Sequence, residues 1–97
     1  HGDEIKFGES ILQVIHTPGH SQGGICFLSK GGEFILVGDT LFRGSIGRTD
    51  LPGGDYDQLI ESIQTRLMSL DPNLRAYPGH GEPTAIGWER QNNPFLR

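Results

Sequence analysis

Cysteine, tryptophan and methionine each occur once in this chain of 97 residues. A single thiol excludes an intrachain disulfide framework. Cys26 stands in the apolar run Ile25-Cys26-Phe27-Leu28, the setting of a small buried hydrophobe rather than of an activated nucleophile. Basic residues are also scarce: eight Lys and Arg against twelve Asp and Glu give a net charge of -4. No segment gathers them into a stripe able to neutralise a phosphate backbone, which argues against nucleic acid as a partner. No apolar run approaches the roughly 18 residues of a membrane span. The first residues do not read as a charged segment followed by an apolar one, so no secretion signal is visible. The expectation is a cytoplasmic protein that engages neither membrane nor nucleic acid.

Glycine is plentiful, at 15 residues with 6 prolines, while apolar residues make up only 34% of the chain. Loops therefore take a large share of a single small domain and are placed to carry its function. The apolar residues fall into four short runs that read as strands: Ile5 to Phe7, Ile11 to Ile15, Ile25 to Leu28 and Phe34 to Val37. Gly8-Glu9, Pro18-Gly19 and Lys30-Gly31-Gly32 supply the turns, and the short connections predict an antiparallel or mixed meander. The last three runs are almost continuously apolar, so both faces of their sheet call for cover.

From Gly44 to Gly54 the sequence has no periodicity and reads as an ordered loop. Asp55 with Gln58 three positions on forms a capping-box pattern, and Tyr56, Leu59, Ile60, Ile63, Leu67 and Leu70 follow at helical spacing up to Pro72. That spacing predicts one helix of about four turns. A short strand around Arg75 to Tyr77 and a last helix after Thr84, ended by Asn93-Pro94, complete the chain. Tyr77 and Trp88 read as core or rim aromatics.

Three potential metal ligands follow strand ends beside glycine: His20 in Pro18-Gly19-His20, Asp39 in Gly38-Asp39, and His80 in Pro78-Gly79-His80-Gly81. Imidazole and carboxylate suit a zinc-like ion, and the two oxygens of a carboxylate can bridge a pair of ions. Spacing alone is weaker here than in a dense chelating motif, and solvated loop histidines are the competing interpretation. His16 lies four residues before His20, but Pro18-Gly19 forbids the helix that would align them, so its expected role is a structural hydrogen bond. His1, at the end of the chain, is expected to be mobile. Arg48 and Asp50 form a charged pair in the glycine-rich loop, near the site and more in keeping with a structural clamp than with a substrate contact.

Together, His16-Thr17-Pro18-Gly19-His20-Ser21, Phe34-Ile35-Leu36-Val37-Gly38-Asp39-Thr40-Leu41-Phe42 and Tyr77-Pro78-Gly79-His80-Gly81 resemble three ordered motifs of the metallo-β-lactamase superfamily. The segment Gly47 to Asp55 and the tail Asn93-Pro94-Phe95-Leu96 resemble its glyoxalase II-like hydrolases. The resemblance implies an α+β fold, the C-terminal half of a four-layer αββα sandwich whose mixed or antiparallel sheet carries helices on one face. It also implies two zinc ions, with His20 on the first, Asp39 bridging both and His80 on the second. The implied reaction is hydrolysis of a thioester of the hydroxyacylglutathione type by a metal-bound hydroxide.

One element of that family pattern is missing. The signature H-x-H-x-D-H, which supplies two ligands to each metal in the family, occurs nowhere in the sequence. Residues 1–97 therefore read as a partial domain, inactive by itself, with partial or no metal occupancy. The unsatisfied sheet face is expected to drive self-association. Two other readings stand beside the thioesterase. One is a persulfide dioxygenase with a single iron, which Gly47-Arg48-Thr49-Asp50 also resembles; the other is a non-catalytic half-domain used for assembly.

Overall fold

The structure is a computed structural model that describes residues 1–96, apart from the side chain of Phe7. It is a mixed α+β arrangement. Four strands run in a meander, β1 (Glu4–Phe7), β2 (Ser10–His16), β3 (Ile25–Ser29) and β4 (Phe34–Gly38). Each pairs antiparallel with the next. The chain then leaves the sheet and returns as β7 (Arg75–Pro78), which lies parallel to β4, and β8 (Thr84–Ala85) closes the far edge. The sheet order is β1-β2-β3-β4-β7-β8. The four expected strands and the one around Arg75 are all present.

The excursion between β4 and β7 holds a small hairpin, β5 (Leu41–Phe42) and β6 (Ser45–Ile46), followed by helix α1 (Tyr56–Ser62). The hairpin corrects the expectation of an aperiodic loop from Gly44: two-residue strands are too short to show alternation, and Gly44 turns the chain at φ +74°. The long helix is also corrected. After Ser62 the helix widens into a π-helical segment, Ile63–Leu67. Thr65 Oγ1 donates to the Glu61 carbonyl at 2.7 Å, Ser69 Oγ to that of Thr65 at 3.0 Å, and Met68 N reaches back to Ile63 O at 2.9 Å. Hydroxyls that bond the preceding turn perturb the ordinary ladder. The widened turn leaves both Leu67 and Met68 buried.

Asp55 caps α1 as expected, accepting from Gln58 N at 3.0 Å, but the reciprocal half of the capping box is replaced: Asp55 N donates to Gly19 O at 2.7 Å. Helix α2 (Ile86–Asn92) ends at Asn93, and a 3-10 turn, Pro94–Leu96, finishes the described chain. At the other end of the chain, His1 Nδ1 accepts from His16 N at 3.0 Å.

Alternate residues divide the sheet into two unlike faces. Ile15, Cys26, Ile35, Val37 and Ala76 point to one side and are buried with Leu59, Ile63 and Leu67 of the helical segment. The opposite side carries the cross-strand row Val14, Phe27, Leu36 and Tyr77. Little covers it: Ile5, Ile25, Leu36 and Tyr77 are 44%, 41%, 37% and 38% exposed. The doubly apolar strand pattern thus meets one covered face and one open face.

Candidate metal centre

Sheet direction explains why distant residues meet. Two successive antiparallel pairings make β4 run the same way as β2, and β7 runs parallel to β4. The C-terminal ends of β2, β4 and β7 consequently share one edge. His20, Asp39 and His80 each follow one of those ends. They line a cavity of about 340 Å³ together with Phe42 and Arg48.

The loop bearing His20 is pressed onto α1. A Cβ on Gly19 would lie 2.3 Å from Leu59 Cα, and Gly19 sits at φ +136°. Only glycine allows both the close approach and that backbone conformation. Ser62 Oγ donates to Pro18 O at 2.8 Å and fixes the same loop from the helix side. Behind it, Thr17 and Thr40 exchange a buried hydroxyl contact at 3.1 Å, and Thr17 also meets Cys26 Sγ at 3.4 Å. This network ties the β2 loop to the β4 loop directly beneath the candidate ligands.

Gly38, at φ +49°, turns the chain into Asp39. Gly79 N donates to Gly38 O at 2.9 Å, and a Cβ on Gly79 would stand 3.3 Å from Asp39 Oδ1. The β4 and β7 loops are therefore hydrogen-bonded to each other. His80 rests against Phe42, ring centroids 5.1 Å apart and tilted by 33°.

Asp39 lies between the two histidines. His20 Nε2 is 4.0 Å from Asp39 Oδ2, and His80 Nε2 is 3.8 Å from Asp39 Oδ1. A first-row divalent ion takes imidazole nitrogen and carboxylate oxygen at about 2.0–2.2 Å each. Neighbouring donors of a tetrahedral ion stand about 3.4 Å apart, so each histidine–aspartate pair is a few tenths of an ångström wider than a closed ligand pair, and the donor set has the chemistry of two half-sites that would share a carboxylate. Neither is complete: among the described residues no group of three or more His, Cys, Asp or Glu converges to hold a metal. His20 Nδ1 faces the Arg48 carbonyl at 2.8 Å, which turns Nε2 toward Asp39.

The other expected positions sort differently. His16 Nε2 meets Gln22 O at 3.1 Å, a structural hydrogen bond away from the cavity. Arg48 and Asp50 form a two-pronged pair at 2.8 and 3.0 Å, with both side chains exposed. The Arg48 guanidinium holds the Asp50 carboxyl below the usual carboxylate range. Cys26 is fully buried, and burial pushes its thiol up despite the hydroxyls of Thr17 and Thr40. Sequence reasoning overlooked Phe42, the Arg48 carbonyl and the Thr17–Thr40 pair as parts of the site. Backbone groups and buried hydroxyls leave no periodic trace, whereas Phe42, three residues after Asp39, stood inside a recognised motif.

The family model of the metallo-beta-lactamase superfamily matches residues 1–80. Hydroxyacylglutathione hydrolase GloC of Haemophilus influenzae is 43% identical over 95 residues, covering 98% of this chain and 45% of the relative. Among solved structures, TTHA1623 in a di-iron-bound form matches with a TM-score of 0.88 and 47% identity, over 99% of this chain and 46% of its own. ETHE1 from Myxococcus xanthus matches with a TM-score of 0.91 and 37% identity, over 97% and 43%. The chain spans less than half the length of each of these relatives. No helix among the described residues is long and apolar enough to cross a membrane. By sequence and by fold, the chain belongs to the metallo-beta-lactamase superfamily, a metal-dependent and hydrolase-like family.

Proposed function

We propose that this chain is the C-terminal part of a cytoplasmic metallohydrolase that cleaves a thioester of the hydroxyacylglutathione type. One observation carries the reading: two imidazole nitrogens face the two different oxygens of a single carboxylate, at 4.0 and 3.8 Å. Three separate strand ends serve that arrangement, together with the close approaches of Gly19 to Leu59 and of Gly79 to Asp39, more than solvated loop histidines would need. The likeness to GloC supports the substrate class.

In this reading His20 and His80 would each help hold an ion, with Asp39 the carboxylate available to both. A zinc-like ion held there would supply Lewis acidity, the chemistry that activates water and polarises a thioester carbonyl. This chain's residues supply orientation: the Arg48 carbonyl fixes the His20 tautomer, and Phe42 sets the His80 ring plane. Three protein ligands divided between two ions leave the centre underliganded, so residues 1–97 alone are inactive.

The complete polypeptide should bind two zinc-like ions and hydrolyse an S-acylglutathione, losing both properties with Asp39→Asn. Metal binding without thioester cleavage would overturn the substrate assignment. One iron per chain, with oxygen consumption on a glutathione persulfide, would establish the dioxygenase reading instead. Failure to bind any transition metal would leave the non-catalytic assembly domain.

A further inference from the structure

Glu89 is a fully buried carboxylate with no cation beside it among the described residues. Buried charges are costly unless every lone pair finds a donor. Here the donors are neutral and come from three places. Thr84 Oγ1 donates to Oε2 at 2.6 Å, Asn93 Nδ2 to Oε1 at 2.8 Å, and Gly44 N reaches both oxygens, at 3.1 and 3.3 Å. Asn93 Nδ2 also donates to Ser45 O at 3.0 Å. Two side chains at helix α2 and its C-terminus thus hold the tip of the β5–β6 hairpin by its backbone.

That hairpin has strands of only two residues each, and short isolated hairpins are barely stable in water. Yet it delivers three parts of the candidate metal centre. Phe42, on β5, backs the His80 ring. Gly47, just past β6, passes so close to the Asp39 carbonyl that a Cβ would stand 1.9 Å from it, and Gly47 N donates to Thr40 O at 3.1 Å. Arg48, next in the chain, offers the carbonyl that meets His20 Nδ1.

We infer that Glu89 is a positioning residue for the metal centre: by anchoring Gly44, with Asn93 anchoring Ser45, it fixes the hairpin that orients His20 and His80. Glu89 touches none of the candidate ligands, and its effect travels through the hairpin backbone. An apolar residue of similar volume would fill the same space but leave Thr84 Oγ1 and Gly44 N without this acceptor. What a carboxylate adds is acceptance of several donors at once, which sets the hairpin's position rather than merely its burial.

The inference rests on the metallohydrolase reading, and two measurements keep the two separable. In the complete polypeptide, Glu89→Gln retains shape but turns an amide donor toward donors already present. It should weaken zinc binding by about tenfold or more, the range seen when supporting residues of metal ligands are changed. Without metal, it should also shift the His20 Nδ1 resonance in nitrogen-15 NMR spectra. Thr84→Val removes one donor with little change of volume and should give the same two effects in smaller measure, so it decides the question if Glu89→Gln does not fold. Glu89→Asp should recover part of both. Lower thermal stability with unchanged zinc affinity and an unchanged His20 signal would overturn the inference, leaving Glu89 a structural clamp only. If the unsubstituted protein binds no metal, the metallohydrolase reading fails, while the His20 resonance still tests the link from Glu89.

Discussion

His20 Nδ1 lies 2.8 Å from the carbonyl oxygen of Arg48, and this bond decides which edge of the imidazole meets Asp39. A carbonyl only accepts, so Nδ1 carries the proton and Nε2 keeps its lone pair for the site. The neutral ring of His20 should therefore hold a single Nδ1–H tautomer before any metal arrives. Nitrogen-15 NMR of the metal-free protein checks this, and a mixture of tautomers would contradict it.

Asp39 faces both histidines, so its loss should matter more than the loss of either one. In the complete polypeptide, Asp39→Asn should cost more than about 100-fold in zinc affinity, beyond the effect of a supporting residue. Asp50→Asn is the matched control. The Asp50 carboxyl is held below the usual range by Arg48, so the pair's stabilisation is present above the ordinary carboxylate range and lost as pH falls through the lowered value. Both side chains are exposed, and solvent screens the pair. Competition titration of the two variants should separate them clearly.

Gly47→Ala places a methyl group against the Asp39 carbonyl at 1.9 Å, where neither backbone can give way cheaply. The expected cost is about 1–3 kcal/mol, typical of overpacking, with weaker metal binding in addition. Gly23, whose added Cβ would meet nothing within 4 Å, is the comparison site. Urea unfolding of both alanine variants tests the contrast, and equal midpoints would refute the close approach.

Thr17→Val leaves the buried Thr40 hydroxyl with only the weak Cys26 thiol as a side-chain partner. An orphaned buried hydroxyl costs about 1–3 kcal/mol, and Thr17→Ser should cost less because the contact survives. Cys26, against the same hydroxyls, should resist alkylation until the protein unfolds. Burial raises its thiol pKa, so its contribution is complete below the ordinary thiol range and is lost as pH rises beyond that range through the raised value. Rapid native-state alkylation near neutral pH would show that the network opens.

Leu36 and Tyr77, neighbours on the open sheet face, bear on the behaviour of residues 1–97 in isolation. An uncovered apolar face of this kind should drive self-association at low micromolar concentration, and Leu36→Glu with Tyr77→Glu should reduce it. Sedimentation velocity provides the measurement. A monodisperse monomer without these changes would count against self-association.

Much of this architecture is legible in the residues. The β2, β3 and β4 runs are apolar and β-branched, bounded by glycine turns, and the structure keeps their limits within a residue or two. Their doubly apolar character correctly anticipates an open face. His20, Asp39 and His80 share one cavity, but sequence order alone does not set that geometry; the common direction of β2, β4 and β7 does. What escapes the sequence is whatever depends on backbone groups or single contacts. The β5–β6 hairpin is too short to alternate, and the π-helical turn keeps the apolar stripe of an ordinary helix. Nothing in the sequence marks Glu89, whose burial depends on Thr84, Asn93 and Gly44 enclosing it.

The parallel pairing of β4 with β7 also imposes a sequence of events. β2, β3 and β4 are consecutive antiparallel strands joined by short connections, so the spacing between His20 and Asp39 can be set by local pairing. β7 reaches β4 only after the hairpin, α1 and the π-helical segment have been threaded through the intervening chain. Closing so long a loop carries an entropic cost before any contact compensates it, and non-local strand pairing is correspondingly slow. His80 is therefore expected to join Asp39 after His20 has done so, making the second half-site a marker of completed folding.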